Sequence, residues 1–360
     1  MAKGEIQKIL QLSLFETLDK RQANYVAMFD LAPRFVHRIG RDGTGRLEVI
    51  KREFDFGTER YRVTVTPARI TDSQGNEKDM LPGEREQLVE DVIRKLAAER
   101  LHLGDQDEVL TRFSIYGVQK ELAKHNHTFS KAEIREAFQV LHLCNISIMK
   151  LAPEGEKRPK PVVSAPAFPV LVFRDESDVD SSAFVQLNPL LAQAIKALAF
   201  EQVNYEWMMQ LRNPLPRWVF KWLSLLLAED EVPAGTMEIR ASQVINSFGN
   251  SRSRWREMLS EVEKSVAKLK EIAAISDYVK ADVKEGKKKV DVVFHVRFSE
   301  RFLADRRYAR EQSEFNATEA AKRTGKRTPS KFVPIDDQAD REIRLRKLSV
   351  VQEAGGLALQ

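Results

Sequence analysis

Three observations on this sequence predict an α+β fold. Helical periodicity and strand-like alternation occupy separate stretches. Two of those stretches, Phe113–Lys150 and Glu238–Phe298, repeat one order of helix, tight turn, helix and two-stranded ribbon. The second also carries basic residues at its turn and at its ribbon tip. That order is a winged helix, which places its second helix in a major groove and its ribbon along the backbone. The expected architecture is therefore two tandem winged-helix domains with a flexible N-terminal motif and a charged C-terminal tail. The bland alternative is a solvated charged face on an ordinary α+β domain.

Composition bounds the reading. At 360 residues the chain is long enough for two or three domains. With 31% charged and 42% hydrophobic residues it is globular, and a net charge of +5 leans towards an acidic partner. A single cysteine, Cys144, excludes an internal disulfide and any multi-cysteine zinc site. No apolar run approaches a membrane span, and the N-terminus MAKGEIQK has no apolar signal core, so a cytoplasmic protein is expected. No metal ligand set or cofactor motif is expected either.

Residues 1–30 are read as a flexible segment carrying Gln11-Leu12-Ser13-Leu14-Phe15. A glutamine amide can donate and accept hydrogen bonds, and a Leu-Phe pair can anchor in an apolar cleft. The alternative is an amphipathic terminal helix packed on the body through Ile6, Leu10, Leu14 and Leu18. Residues 31–180 are read as the first winged-helix domain. Its hairpin spans Leu47–Phe56 and Arg60–Ile70, a polar loop Thr71–Lys78 follows, and a helix covers Met80–Leu101. A helix from Ser114 to Lys124, a turn His125–Phe129 and a capping box Ser130-Lys131-Ala132-Glu133 lead into a second helix. In that helix Ile134, Ala137, Phe138 and Leu141 form the core face, which leaves Lys131, Arg135, Gln139 and His142 as candidate contacts with DNA. Cys144–Lys150 and Pro169–Arg174 are the expected wing strands, joined by a loop too proline-rich for regular structure.

Residues 181–300 are read as the second winged-helix domain. Phe184–Leu187 is a short strand, a helix runs from Asn188-Pro189 to Leu198, and Pro214–Ala228 is a strongly apolar core helix. A strand residue or two and a short helix then end at Gly249. From Gly249 to Ile275, Trp255, Met258, Leu259, Val262, Val266, Leu269 and Ile272 make one helical stripe. Arg252, Arg254 and Arg256 are read in its first turn, where the helix dipole disfavours cations, so an external anion is implied. A nucleic-acid phosphate or base edge meets that need, with Asn250, Ser251 and Ser253 alongside. Val290, Val292, Phe294, Val296 and Phe298 alternate across the second ribbon strand, and Lys284, Lys287, Lys288 and Lys289 form the basic tip. Residues 301–360 are read as a charged helix and a disordered tail.

These residues carry a resemblance. Gln11–Phe15 resembles the pentapeptide with which bacterial replication and repair proteins dock on the sliding clamp. With two winged-helix segments behind it, and with Trp255-Arg256 inside SFGNSRSRWREMLSEVEKSVAKLK, the chain is similar to plasmid replication initiators of the TrfA type. More broadly it resembles the tandem winged-helix initiators of iteron plasmids. The likeness covers about Arg46 to Phe298 and the pentapeptide. It implies a bacterial, plasmid-associated protein that binds repeated duplex sites at an origin. It further implies opening of an adjacent AT-rich region, contact with single-stranded DNA there, a monomer–dimer equilibrium, and recruitment of the host initiator, helicase and clamp.

An enzyme reading finds little support in the sequence. There is no G-x-x-x-x-G-K-[ST] phosphate loop, and His125-Asn126-His127 lacks the apolar residue between histidines that metal-assisted nicking sites use. The serious competitor is a winged-helix transcriptional repressor, and Gln11–Phe15 is the feature that separates the two.

Overall fold

The structure is a computed structural model that describes residues 21–36, 46–56, 59–71, 75–99, 102–103, 109–152, 160–174, 182–229, 235–249 and 255–324. The first half runs β1 (Gln22–Tyr25), α1 (Ala27–Asp30), β2 (Ile50–Phe56), β3 (Glu59–Thr66), β4 (Ala68–Thr71), β5 (Glu77–Met80) and α2 (Glu84–Glu99). It continues through β6 (His102–Leu103), β7 (Val109–Phe113), α3 (Ile115–Lys124), α4 (Lys131–Leu143), β8 (Asn145–Lys150), β9 (Lys160–Pro166) and β10 (Leu171–Phe173). Then come β11 (Ala183–Gln186), α5 (Pro189–Ala197), β12 (Glu201–Asn204), α6 (Tyr205–Gln210) and α7 (Pro214–Glu229). The chain closes with β13 (Thr236–Arg240), α8 (Ala241–Phe248), α9 (Trp255–Glu271), β14 (Ile275–Glu285), β15 (Lys288–Phe298) and α10 (Glu300–Thr324). The result is a mixed α and β protein in which no described helix is long and apolar enough to cross a membrane.

Strong local patterns form where expected. Ser130 and Glu133 make the reciprocal capping box that starts α4, and Ile134, Ala137, Phe138 and Leu141 are all buried beneath it. Asn188 caps α5 with Pro189 in its first turn, and Gly249 closes α8 in the left-handed region at φ 80°. In β15, Val292, Phe294, Val296 and Phe298 face the core, and β15 lies between β13 and β14.

Pairings between distant segments depart from expectation. Gln22–Asp30 is not flexible: β1 pairs antiparallel with β12, and Tyr25 and Phe29 are fully buried. Glu77–Met80, partly inside the expected polar loop, is a strand because β4 pairs with it. The first ribbon is closed by β9, which pairs with β8, whereas Leu171–Phe173 pairs with β11. Pro161 and Pro166 fit because β9 is the edge of the sheet β2-β3-β8-β9, where a missing N–H leaves no ladder bond unmade. The strand preceding the first helix pair, β7, joins the sheet β10-β11-β7-β6 rather than the ribbon, unlike β13 in the second unit. That sheet crosses the expected boundary at residue 180, since β11 lies beyond it.

The core runs continuously through both halves. Phe113 stacks on Phe138 at 4.3 Å, and Trp218 on α7 stacks on Trp222 at 5.9 Å and meets Phe248 edge-on at 5.7 Å. Buried ion pairs bridge the helices. Arg34 makes a two-pronged contact with Glu90, Arg94 reaches Asp30 at 3.1 Å, and Lys221 on α7 donates to Asp91 on α2 at 2.8 Å.

Candidate nucleic-acid interface

In each half a pair of helices is followed by a two-stranded antiparallel ribbon, α3 and α4 by β8–β9 and α8 and α9 by β14–β15. In the first, Ser114 Oγ accepts from Gly117 N at 3.0 Å to start α3, and Gln119 Nε2 donates to the Phe129 carbonyl at 2.8 Å to hold the turn. His127 reaches the Met209 carbonyl on α6 at 3.2 Å, which seats this turn on the second half. On α4, Lys131 lies over the ring of Tyr116 at 5.6 Å and Arg135 over Phe173 at 4.9 Å, while Gln139 is exposed. His142 is half-buried with Nδ1 at 2.8 Å from the Phe168 carbonyl, so its ring is fixed by the β10 approach. Glu136 turns aside to Lys78 and Arg85.

In the second unit, Asp291 on β15 caps α8 by accepting from Ser242 N at 2.9 Å and Ser242 Oγ at 2.5 Å. Trp255 Nε1 donates to the Val290 carbonyl at 2.7 Å and ties the start of α9 to the ribbon. Arg256 is exposed in the first turn of α9. Asn250, Ser251, Arg252, Ser253 and Arg254 lie outside the described residues, and α9 begins at Trp255, so the first two arginines precede its described start. Lysines further along are matched with acids: Lys264 with Glu261, Lys268 with Glu271, Lys270 with Asp277 and Lys280 with Glu263. The ribbon tip turns at Gly286, with Lys284, Lys287 and Lys288 exposed. Lys289 is half-buried and paired with Asp282 at 2.7 Å, and its hydrogen bond draws the Asp282 carboxyl below its ordinary range.

The candidates therefore divide between two surfaces, α4 with its aromatic supports and α9 with the ribbon tip. Sequence reasoning missed Tyr116, Phe173, Asp291 and the Trp255–Val290 tie. Tyr116 had a findable signal, an aromatic beside the N-cap of a helix on a face otherwise polar; the others depend on contacts made only on folding. Gln11–Phe15 lies outside the described residues.

His125 and His127 do not converge. His127 turns to Met209, while His125 joins Glu121 and Glu206, whose donor atoms lie within 4.8 Å of one another. Lys95 Nζ stands 2.5 Å from Glu121 Oε1 and 3.3 Å from Glu206 Oε1, so an ammonium already supplies the positive charge there. Burial opposes ionisation of Glu121, but His125, Lys124 and Lys95 outweigh it and hold its carboxyl well below the usual range.

No protein-family model and no curated protein matches the chain. Among solved structures it is similar to two crystal structures of domains 2 and 3 of RctB. One has 10% identity, covers 75% of this chain and 96% of that one, and has a TM-score of 0.46. The other has 9% identity over 79% and 99% of the two chains, also at a TM-score of 0.46. It is also similar to the Pi initiator protein in complex with iteron DNA, with 11% identity, 60% and 91% coverage and a TM-score of 0.39.

Proposed function

We propose that this chain is a duplex-DNA-binding replication initiator with two winged-helix reading units, which binds repeated sites at a plasmid origin. The observation that supports it is the placement on one core of two helix pairs, each followed by a two-stranded ribbon, with Gln139 on α4, Arg256 on α9 and the ribbon lysines 284, 287 and 288 exposed. Lys131, Arg135, Gln139 and His142 on α4 would face one groove segment. Arg256 and the preceding stretch Asn250–Arg254 would face a second, with the ribbon lysines 284 and 287–289 along phosphates. Covalent linkage raises the effective concentration of each unit for its half-site, which suits one chain to a long repeat. Gln11–Phe15 adds the initiator reading, because a clamp ligand has a use at an origin and none in a simple repressor. Recruitment of the clamp, host initiator and helicase, contact with single-stranded AT-rich DNA and a monomer–dimer equilibrium belong to the same proposal. No catalytic step is assigned.

The test is a DNase footprint of the purified chain across the DNA flanking its own gene, at near-physiological salt. Protection of evenly spaced direct repeats beside an AT-rich tract is the expected result. A single protected inverted repeat over the promoter would instead make the protein a repressor.

A further inference from the structure

We propose that Arg52, in the first half, is a positioning residue that sets the angular register of the two DNA-reading units by bracing Gly249 at the end of α8 in the second. This rests on the duplex-binding reading above. Gly249 ends α8, and a Cβ at this position would stand 2.6 Å from Pro33 Cβ and 2.8 Å from Arg52 Cδ. Only a glycine lets the two halves approach so closely here, and it also accepts the left-handed φ of 80° without strain. The Arg52 head holds the floor of the contact: Nη1 donates to the Pro33 carbonyl at 2.9 Å and to the Phe35 carbonyl at 2.8 Å. Its stem therefore braces the end of α8 while its guanidinium ties down the segment beneath. A polar cleft of about 330 Å³, walled by β2 on one side and by Asn246, Ser247 and Gly249 on the other, continues the junction.

The consequence is mechanical. Lys221–Asp91 and Arg217–Glu84 join α7 to α2. The shared core and the β1–β12 pairing hold α7 and its neighbours to the first half, and the contact at Gly249 adds an attachment on α8 itself, which limits the roll of α8 over that core. A duplex rotates by about 35° and advances about 3.4 Å with each base pair. Two units held at one angle therefore meet their half-sites at one separation, and a loosened joint accepts several.

The experiment is selection of duplexes from a random-sequence pool by the full chain, by Arg52→Ala and by Arg52→Lys, with thermal melting of each protein. The wild type should enrich two sequence blocks at one fixed separation. Arg52→Ala should enrich the same blocks at several separations, with about a tenfold loss of preference for the native one over its one-base-pair insertion. Arg52→Lys, which keeps a stem against Gly249, should restore much of that preference. A single unchanged separation for Arg52→Ala would overturn the inference, as would equal weakening of both blocks alongside a lowered melting temperature. Enrichment of one block by the wild type would overturn it while leaving duplex binding in place. No enrichment by the wild type would remove the duplex-binding reading and this inference together.

Discussion

Asp291 belongs to β15, yet its carboxylate completes α8, accepting from Ser242 N and Oγ and from Val292 N at 2.8 Å. The first turn of a helix leaves N–H groups without partners, and an anion there also meets the favourable end of the dipole. Asp291→Ala should lower stability by about 1–2 kcal/mol, read as a reduced urea midpoint with an unchanged slope. Single residues also set the response to acid. Burial, aided by the nearby Arg217 charge, lowers the His127 pKa, so the unfolded chain takes up a proton that the folded one resists. Its contribution is present above the ordinary histidine value of about 6.5 and is lost as pH falls below that. Glu121 is depressed by its cationic neighbours, so its contribution is present above about 4.3 and is lost as pH falls through its lower folded value. Urea midpoints measured against pH should therefore fall in two stages. Against their burial, Glu90 is held down by Arg34 and Arg94, and Glu136 by Lys78 and Arg85, so both share the lower stage. Glu121→Gln should therefore shrink that stage and leave the upper one in place; an unaltered acid profile in that variant would contradict the assignment.

At the scale of elements, charge counted along a sequence differs from charge available on a face. Helix α9 carries several lysines, but Lys264, Lys268 and Lys270 are neutralised locally, so its free positive end is near Arg256. Arg256→Ala should weaken specific duplex binding by about 1–3 kcal/mol if the guanidinium meets a base edge. Equal losses on specific and random duplexes would make it a phosphate contact. Neutralising Lys284, Lys287 and Lys288 on the ribbon should lower affinity broadly and reduce the salt slope by roughly one for each phosphate that a lysine ceases to neutralise. Lys289 should contribute less, because Asp282 already holds it. Binding titrated over a range of salt concentrations separates these outcomes.

At the scale of the whole molecule, one core and a set of buried ion pairs join the halves. Unfolding should be a single transition: tryptophan fluorescence, which reports Trp207, Trp218, Trp222 and Trp255 in the second half, should coincide with far-UV circular dichroism. Lys221→Met would remove the ammonium paired with buried Asp91, leaving it the hydrogen bond from the Tyr25 hydroxyl at 3.1 Å and the more distant charge of Arg217, and should cost about 3–5 kcal/mol. Two separated transitions in the wild type would show that the halves unfold independently.

Elements with a local cause can be read directly from the chain's residue pattern. The Ser130–Glu133 box, the Gly249 stop, the Asn188-Pro189 start and the alternation through Phe298 each depend on residues within a turn or two, so period and capping chemistry reveal them. Gln139 and the ribbon lysines 284, 287 and 288 are exposed, as their spacing implies, whereas Lys131, Arg135, His142 and Lys289 are half-buried against neighbours that only folding brings to them. Tertiary structure alone decided that Gln22–Tyr25 pairs with Glu201–Asn204, that Lys160–Pro166 rather than Pro169–Arg174 closes the first ribbon, and that Arg52 meets Gly249. Strand partners and buried charges are chosen by distant segments that satisfy backbone hydrogen bonds and desolvated ions together, and no local pattern in any one segment records that choice.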